Sequence, residues 1–389
     1  MSRYRLYPTA PQEQSLLVHC GHARFVWNLA VEQQSWWTPR RGPAPGFAAQ
    51  CRQLTEARAE FDWLRAGSVN VAQQALRDFT QAMANFFAGT HRRPTWRKAG
   101  RHEGFRITDT CRTRRLSRHV GEVFVPKVGW VRFGWSRAVP EAKSYRITRD
   151  RAGRWHVAFA AIPQPIPAPG TGEVVGVDRG VAVSAALSTG ELLSCPGLSA
   201  GRQARLRRLQ RRLARAKRGS NRRTQTKVAI ARLKARDADT RKDWVEKTTT
   251  DLARRFDVIR VEDLNVPGMT RSARGTVETP GTNVRQKAGL NRGILTNGWG
   301  RLVARLEHKA PGRIEKINPA YTSQRCSACG TVDPNNRESQ AAFRCRSCGH
   351  ASNADVNAAI NIAAGHAVTA RGGPGLPGPV NREPQPLAP

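Results

Sequence analysis

Glu173-Val-Val-Gly-Val-Asp178 is a short apolar run that ends in a carboxylate. An unbroken run of this kind suits a strand buried on both faces, as in a parallel sheet. Asp257-Val-Ile-Arg-Val-Glu262 repeats the design and also ends in an acid. Around these two runs the pattern gives an alternating stretch, Val181–Leu187, then long helices to about Arg255. A Gly-rich loop (267–298), a helix over Trp299–Ala310, a strand over Arg313–Asn318 and a last helix over Asn353–Ala364 follow. Strands alternating with helices predict an α/β domain. Carboxylates that end neighbouring strands converge on one edge of the sheet. Asp355, in the first turn of the last helix, can join Asp178 and Glu262 there. Three such oxygens suit hard cations that keep part of their water shell, and two Mg²⁺ ions held this way hydrolyse phosphodiesters. Asp263 faces the other way on its strand and is expected to be a bystander.

Cysteine spacing gives the sharpest local signal. Cys326-x2-Cys329 and Cys345-x2-Cys348 stand with 15 residues between the pairs. Each pair closes a tight knuckle, and four thiolates supply the tetrahedron of one structural Zn²⁺ with no open position for catalysis. His350 lies close behind, but a complete set of thiolates leaves it unneeded. Cys20, Cys51, Cys111 and Cys195 are scattered singly and are read as inert buried thiols.

Composition bounds the partners. The chain has 389 residues, 39% of them hydrophobic, enough for packed cores, and length alone suggests two or three domains. Lys and Arg number 65 against 29 Asp and Glu, a net charge of +36. So basic a chain repels itself unless a polyanion neutralises it. Trp155–Gly172 is the longest run without an ionisable Asp, Glu, Lys or Arg, and four prolines interrupt it. A spanning helix needs about 20 apolar residues. No membrane partner is expected, no secretory signal opens the chain, and an intracellular protein follows. The densest charge lies in Arg202–Arg223, where 11 of 22 residues are Arg or Lys, and no acid occurs between Leu192 and Arg236. Leu206, Leu209 and Leu213 keep an apolar stripe through it, so it reads as helix. Its unbalanced face, with Arg205, Arg207, Arg208, Arg211 and Arg212, points at backbone phosphates.

The N-terminal half changes character once. Helical spacing runs over Gln12–Gln34 and again through Val71, Ala75, Phe79, Ala82, Met83 and Phe86. From Glu122 short β-like runs take over, giving a helical lobe joined to a small β-barrel. Trp27 and Trp96, set among basic residues, are read as core aromatics. The Pro/Gly segment Ile162–Gly172 separates the halves, and the Gly/Pro-rich 367–389 reads as a disordered tail.

Several motifs now stand in order: Arg5-Leu-Tyr-Pro-Thr9 with Gln12, Gly21-x-x-Arg24-Phe-Val-Trp-Asn28, Gly176-Val-Asp178-x-Gly180 and Val261-Glu-Asp-Leu264. Asn318-Pro-Ala-Tyr-Thr-Ser-Gln324, Cys326-Ser-Ala-Cys-Gly330 and Asp355-x-Asn-Ala-Ala-x-Asn361 complete the set. In this order they resemble TnpB proteins, transposon-encoded relatives of miniature type V CRISPR effectors, over most of residues 4–365. The resemblance implies an RNA-guided DNA endonuclease with guide RNA and double-stranded target DNA as partners. It implies a RuvC-like (RNase H fold) nuclease domain carrying a zinc-ribbon insertion, preceded by a β-barrel wedge domain with an inserted helical recognition lobe. The parts would be wedge 1–11 and 111–165, recognition lobe 12–110, nuclease 173–322 and 351–366, and zinc ribbon 323–350. Within the nuclease part, 202–255 would be the basic helices and 267–298 a mobile lid.

Asp178, Glu262 and Asp355 match the three RuvC acids, and the four cysteines match the ribbon. Gln73 falls near the reader of the short DNA motif beside the target, and an exposed Gln can pair bidentately with adenine. Asn357 and Asn361 share a helix face and are candidates for supporting or substrate contacts. Arg179 departs from the family, which has an apolar residue there, and the segment 310–313 is short. A monomer with one RNA in the prokaryotic cytoplasm is expected. A CRISPR effector proper remains an alternative, because the guide's origin lies outside the chain. So does a catalytically silent RNA-guided repressor, against which the complete acid trio argues. A zinc-ribbon transcription factor would not need that trio, and no tyrosine or serine nucleophile motif marks a transposase acting alone.

Overall fold

The structure, a computed structural model, describes residues 2–38, 40, 42, 44–108 and 111–365. The tail, 367–389, lies outside the described residues. The chain forms two compact units, 1–163 with 206–233, and 164–205 with 234–389.

In the first unit β1 (Ser2–Tyr7) leads into four helices: α1 (Ala10–Trp36), α2 (Phe47–Glu60), α3 (Asp62–Ala66) and α4 (Val69–Phe87). Strands β2 (Gly104–Thr108), β3 (Thr113–Arg115), β4 (Val120–Val125), β5 (Gly129–Gly134), β6 (Ser144–Arg149) and β7 (Trp155–Phe159) follow. Among the described residues the strands form one antiparallel sheet in the order β2-β6-β7-β1-β5-β4-β3. Period-two alternation builds its core: Tyr4 and Leu6, Phe105 and Ile107, Val131 and Phe133, and Val157 and Phe159 are all buried. The sheet takes in Gly104–Thr108, a few residues before the boundary at 111 that the sequence suggests.

Helix α1 starts at a capping box, in which Thr9 and Gln12 satisfy each other's backbone N–H groups. Its Arg24, Trp27 and Asn28 hold the segment before β2. Arg24 forks onto Glu103, the Trp27 indole donates to the Thr95 carbonyl, and Asn28 brackets the Arg97 backbone on both sides. Trp27 is therefore a core aromatic, with the Arg97 guanidinium 3.5 Å over its ring. Trp96 is not: it is 56% exposed, because its backbone neighbours, rather than its indole, are what α1 grips.

The second unit carries β8 (Val174–Asp178), β9 (Ala185–Leu187) and β10 (Leu192–Leu193). Helices α5 (Ala200–Arg215) and α6 (Asn221–Arg255) contribute residues to both units. Then come β11 (Val258–Glu262), α7 (Val266–Met269), α8 (Val284–Asn297), α9 (Trp299–Lys309), β12 (Ile314–Ile317), β13 (Ala342–Arg344), β14 (Ala351–Asn353) and α10 (Ala354–Ala363). A five-stranded sheet runs β10-β9-β8-β11-β12, with β8, β11 and β12 parallel and β9 and β10 antiparallel. Val175, Val177, Ile259 and Val261 meet Leu252, Phe256, Leu302 and Leu306 in its core.

The Gly-rich stretch 267–298 is more ordered than its composition suggests, because α8 occupies its second half. Gly293 lets that helix pass close to Val181, whose Cγ1 would lie 2.6 Å from an added Cβ. At its end, the Asn297 amide donates to the Val181 carbonyl and accepts from Ser184, while the Trp299 indole donates to the Gly180 carbonyl. These bonds fasten the loop that follows Asp178.

Helix α10 lies almost against the backbone of β8. A Cβ on Gly176 would stand 2.0 Å from the Ala359 carbonyl oxygen and 2.4 Å from the Ala363 nitrogen. Both obstacles are backbone, so neither can rotate away. Gly176→Ala is expected to cost about 2–3 kcal/mol through overpacking and to displace α10. Denaturant unfolding of the second unit's sheet, followed by hydrogen exchange of β8 and α10, measures it.

Candidate active site and four-cysteine module

Parallel pairing sets the first two acids side by side. Val177 is in register with Val261, so Asp178 and Glu262 occupy the next positions at the same end of β8 and β11. Both are half-buried. Asp263 is exposed and its backbone N–H donates to Ile317. The third acid comes from α10. Asn353 caps this helix by accepting from the backbone N–H groups of Asp355 and Val356, which fixes the first turn.

Arginines stand among these acids. Asp355, 8% exposed, accepts a 2.9 Å hydrogen bond from Nη2 of Arg337, which also donates to the Gln340 carbonyl. Arg179, 5% exposed, donates from Nη2 to the main-chain carbonyl of Glu262. The Glu262 carboxylate accepts from the Thr322 hydroxyl at 3.1 Å. The donor chemistry of the trio fits a hard divalent cation. As the side chains stand, however, the three acids are not gathered closely enough to share one ion. Among the described residues only the cysteines form such a group.

The cysteines do so well. Their four Sγ atoms lie within 4.8 Å of one another, with Cys326 to Cys348 at 3.7 Å and Cys329 to Cys345 at 3.6 Å. Sulfurs about 2.3 Å from a tetrahedral zinc would be spaced this way. Each pair sits in a knuckle of the same build. The Cys326 and Cys345 carbonyls accept from Gly330 and Gly349, both in the left-handed region that glycine enters freely. Hydrogen bonding with Thr331 brings the Cys329 thiol down to about 6. The His350 backbone favours the Cys348 thiolate, but its crowded sulfur neighbours push it up to about 12. Nε2 of His350 lies 3.5 Å from the Ser327 hydroxyl, outside the sulfur group.

Buried amides tie this module to α10. Asn361 donates to the Thr322 and Arg325 carbonyls, and Asn357 donates to Arg325 and accepts from the Ser327 N–H. Their role is thus to hold the first knuckle; both side chains are buried. Asn336, fully buried, spans the two knuckles by donating to the Gln324 carbonyl and accepting from the Arg346 N–H. Arg337, Thr322 and Asn336 were not singled out from sequence. Their signal lies in three-dimensional pairing, which spacing does not carry. Of the other cysteines, only Cys20 is fully buried, and burial pushes its thiol up to about 12. Cys51, Cys111 and Cys195 are half-buried rather than enclosed.

The nucleic-acid candidates lie on α5 and α4. Arg205, Arg207, Arg208, Arg211 and Arg212 are all exposed on α5, which buries no residue. The end of α5 is closed by Arg223, whose guanidinium donates to the Leu213 and Ala216 carbonyls. Gln73 is exposed on α4. Arg77 and Gln81 continue its face at four-residue steps and line an open cavity of about 420 Å³ with Phe47, Asp78 and Arg106.

Two strand-end acids on a mixed sheet, a third on a helix packed across it and a four-cysteine insertion define a RuvC-like nuclease architecture. Comparison with known proteins agrees. Family profiles described as Cas12f1-like TNB domain, probable transposase and helix-turn-helix domain match residues 299–362, 139–273 and 2–42. Over the last span, residues 2–38 form a strand and one continuous helix. An Escherichia coli K12 protein named "Putative RNA-guided DNA endonuclease InsQ" is 36% identical, covering 95% of this chain and 93% of its own. A Streptomyces pristinaespiralis protein named as a putative RNA-guided DNA endonuclease is 33% identical, over 95% and 90%. Among solved structures, a Cas12f1–sgRNA–target DNA complex aligns with a TM-score of 0.51 at 14% identity, over 90% of this chain and 82% of that one, a likeness of fold. The chain belongs to the TnpB family.

Asn361→Ala is expected to deprive the Thr322 carbonyl of this buried donor and leave the Arg325 carbonyl with Asn357 alone, at a local cost of about 1–3 kcal/mol. Amide exchange across 322–327 should quicken; unchanged protection there would show that the knuckle is held by other means.

Proposed function

We propose that this protein is an RNA-guided DNA endonuclease. It cleaves target DNA after guide pairing and recognition of a short flanking motif. The reading rests on Asp178 and Glu262, neighbours at the ends of parallel strands, with Asp355 on the helix that lies against the same strand. Together they form a Mg²⁺-binding set. Bound metal would supply an activated water and charge stabilisation for phosphodiester hydrolysis. The chain's part is to position the acids. Thr322 orients the Glu262 carboxylate, and Arg337 holds one carboxylate oxygen of Asp355.

The four cysteines hold one structural Zn²⁺. The exposed α5 arginines bind guide-RNA phosphates, where each contact releases counterions. Gln73, at the end of a polar face of α4, reads a base of the flanking motif. In this reading the antiparallel sheet is the wedge, α1–α4 the recognition lobe and 267–298 the lid. The protein works as a monomer with one RNA in the cytoplasm. No helix among the described residues is long and apolar enough to cross a membrane.

Asp178→Ala, Glu262→Ala and Asp355→Ala should each reduce cleavage by at least about a thousandfold, since each removes a charge the transition state requires. RNA-dependent target binding should remain. Cleavage assays in Mg²⁺ paired with gel-shift binding test this, and wild-type cleavage by any one variant would remove that residue from the set.

Natively purified protein should carry about one zinc per chain, and Cys326→Ser should unfold the segment 320–350, because folding of such a module is coupled to its metal. Elemental analysis and proteolysis decide it. Zinc-free protein with an intact module would overturn the assignment.

A further inference from the structure

Arg179 follows Asp178 directly, yet its side chain is buried rather than turned to solvent. A guanidinium in such a place needs compensation, because burial alone favours losing its charge. The compensation is near at hand. Nη2 donates to the Glu262 main-chain carbonyl on the neighbouring strand, and the negative charges of Glu262, Asp178 and Asp263 favour the charged guanidinium. Burial pulls the guanidinium's hold on its proton down, and those three acids oppose the pull, Glu262 most strongly. Its Nε is buried without a hydrogen-bond partner. The fork is thus anchored by the Glu262 carbonyl and incompletely satisfied by it. Arginine keeps its charge under any working condition.

We propose that Arg179 is a built-in counter-cation for the acidic end of β8 and β11, holding the two strand ends together before any divalent ion arrives. The inference rests on reading Asp178 and Glu262 as divalent-ion ligands. Two consequences follow. Without metal, the guanidinium offsets part of the repulsion between two half-buried carboxylates on adjacent strands. With metal, the incoming ion shares the site with a fixed positive charge and binds more weakly than it would to the acids alone. Arg179 is a positioning residue, acting through Glu262. Its charge sets how much divalent ion the site demands.

The test uses the full-length protein and its Arg179→Met and Arg179→Lys variants. Mn²⁺ binding is followed by the electron-paramagnetic signal of the free ion. An Asp178→Asn/Glu262→Gln variant serves as baseline for ions bound elsewhere. Arg179→Met should bind Mn²⁺ about tenfold more tightly than wild type, as expected for removing one nearby positive charge. In metal-free buffer it should lose exchange protection across 258–264 and regain it with Mn²⁺. Arg179→Lys keeps the charge but not the fork, so its affinity should stay near wild type while protection falls. Equal Mn²⁺ affinity for wild type and Arg179→Met would overturn the counter-cation while leaving the ligand reading intact. A wild type indistinguishable from the baseline variant would overturn the ligand reading, and the inference with it. If Arg179→Met does not fold, Arg179→Gln replaces it. Failure of both to fold even in Mn²⁺ would overturn the proposal, because a metal ion could not then stand in for the guanidinium.

Discussion

The second unit depends on the closeness of α10 to β8. A helix normally stands off a sheet by the length of its side chains; here the Ala359 carbonyl and Ala363 nitrogen come down to where a Cβ of Gly176 would be. That approach seats α10, whose first turn carries Asp355, against β8, the strand that ends in Asp178. It also points Asn357 and Asn361, farther along the helix, at the first cysteine knuckle. One small residue in the strand therefore sets the position of an acid, of two amides and, through them, of the four-cysteine module.

Charge is the second constraint, and the chain handles it in two ways. In both units arginines are matched to acids by structure: Arg24 with Glu103 and Arg146 with Asp78 in the first, Arg337 with Asp355, Arg260 with Glu315 and Arg305 with Glu246 in the second. Helix α5 and the turn after it have no acid nearby in sequence, since none occurs between Leu192 and Arg236. The net charge of +36 is thus not spread evenly. Its densest block lies where a helix presents its arginines to solvent.

Much of this was legible in the sequence, for a physical reason in each case. Parallel strands covered by helices must be largely apolar, so β8 and β11 announce themselves, and their terminal acids with them, although β11 carries a half-buried Arg260 paired with Glu315. Zinc knuckles need fixed spacing, so the cysteines do too. The helix boundaries at Arg255 and Asn221 follow from the loss of periodicity and the Gly219 break. What was not legible depends on pairing between distant residues. A Gly-rich stretch reads as loop, yet Gly293 is small because α8 passes close to Val181. Trp96 reads as core from its type, but only its neighbours Thr95 and Arg97 are gripped by α1. Arg179 reads as a departure from pattern, and its meaning appears only when the Glu262 carbonyl is found across the sheet.

The same pairings make the cysteine module and the acidic end one cooperative element rather than two neighbours. Thr322 donates to the Glu262 carboxylate and accepts, through its own carbonyl, from Asn361 on the helix that begins with Asp355. Arg337, between the knuckles in sequence, closes the circuit on Asp355 itself. Each hydrogen bond of this kind is worth only about 1 kcal/mol net, but an unmade one in a buried setting costs more. Loosening any member therefore strains the next, and the penalty falls on the carboxylates. The fold of the cysteine module thus sets the Thr322 hydroxyl on the Glu262 carboxylate and the Arg337 guanidinium on Asp355.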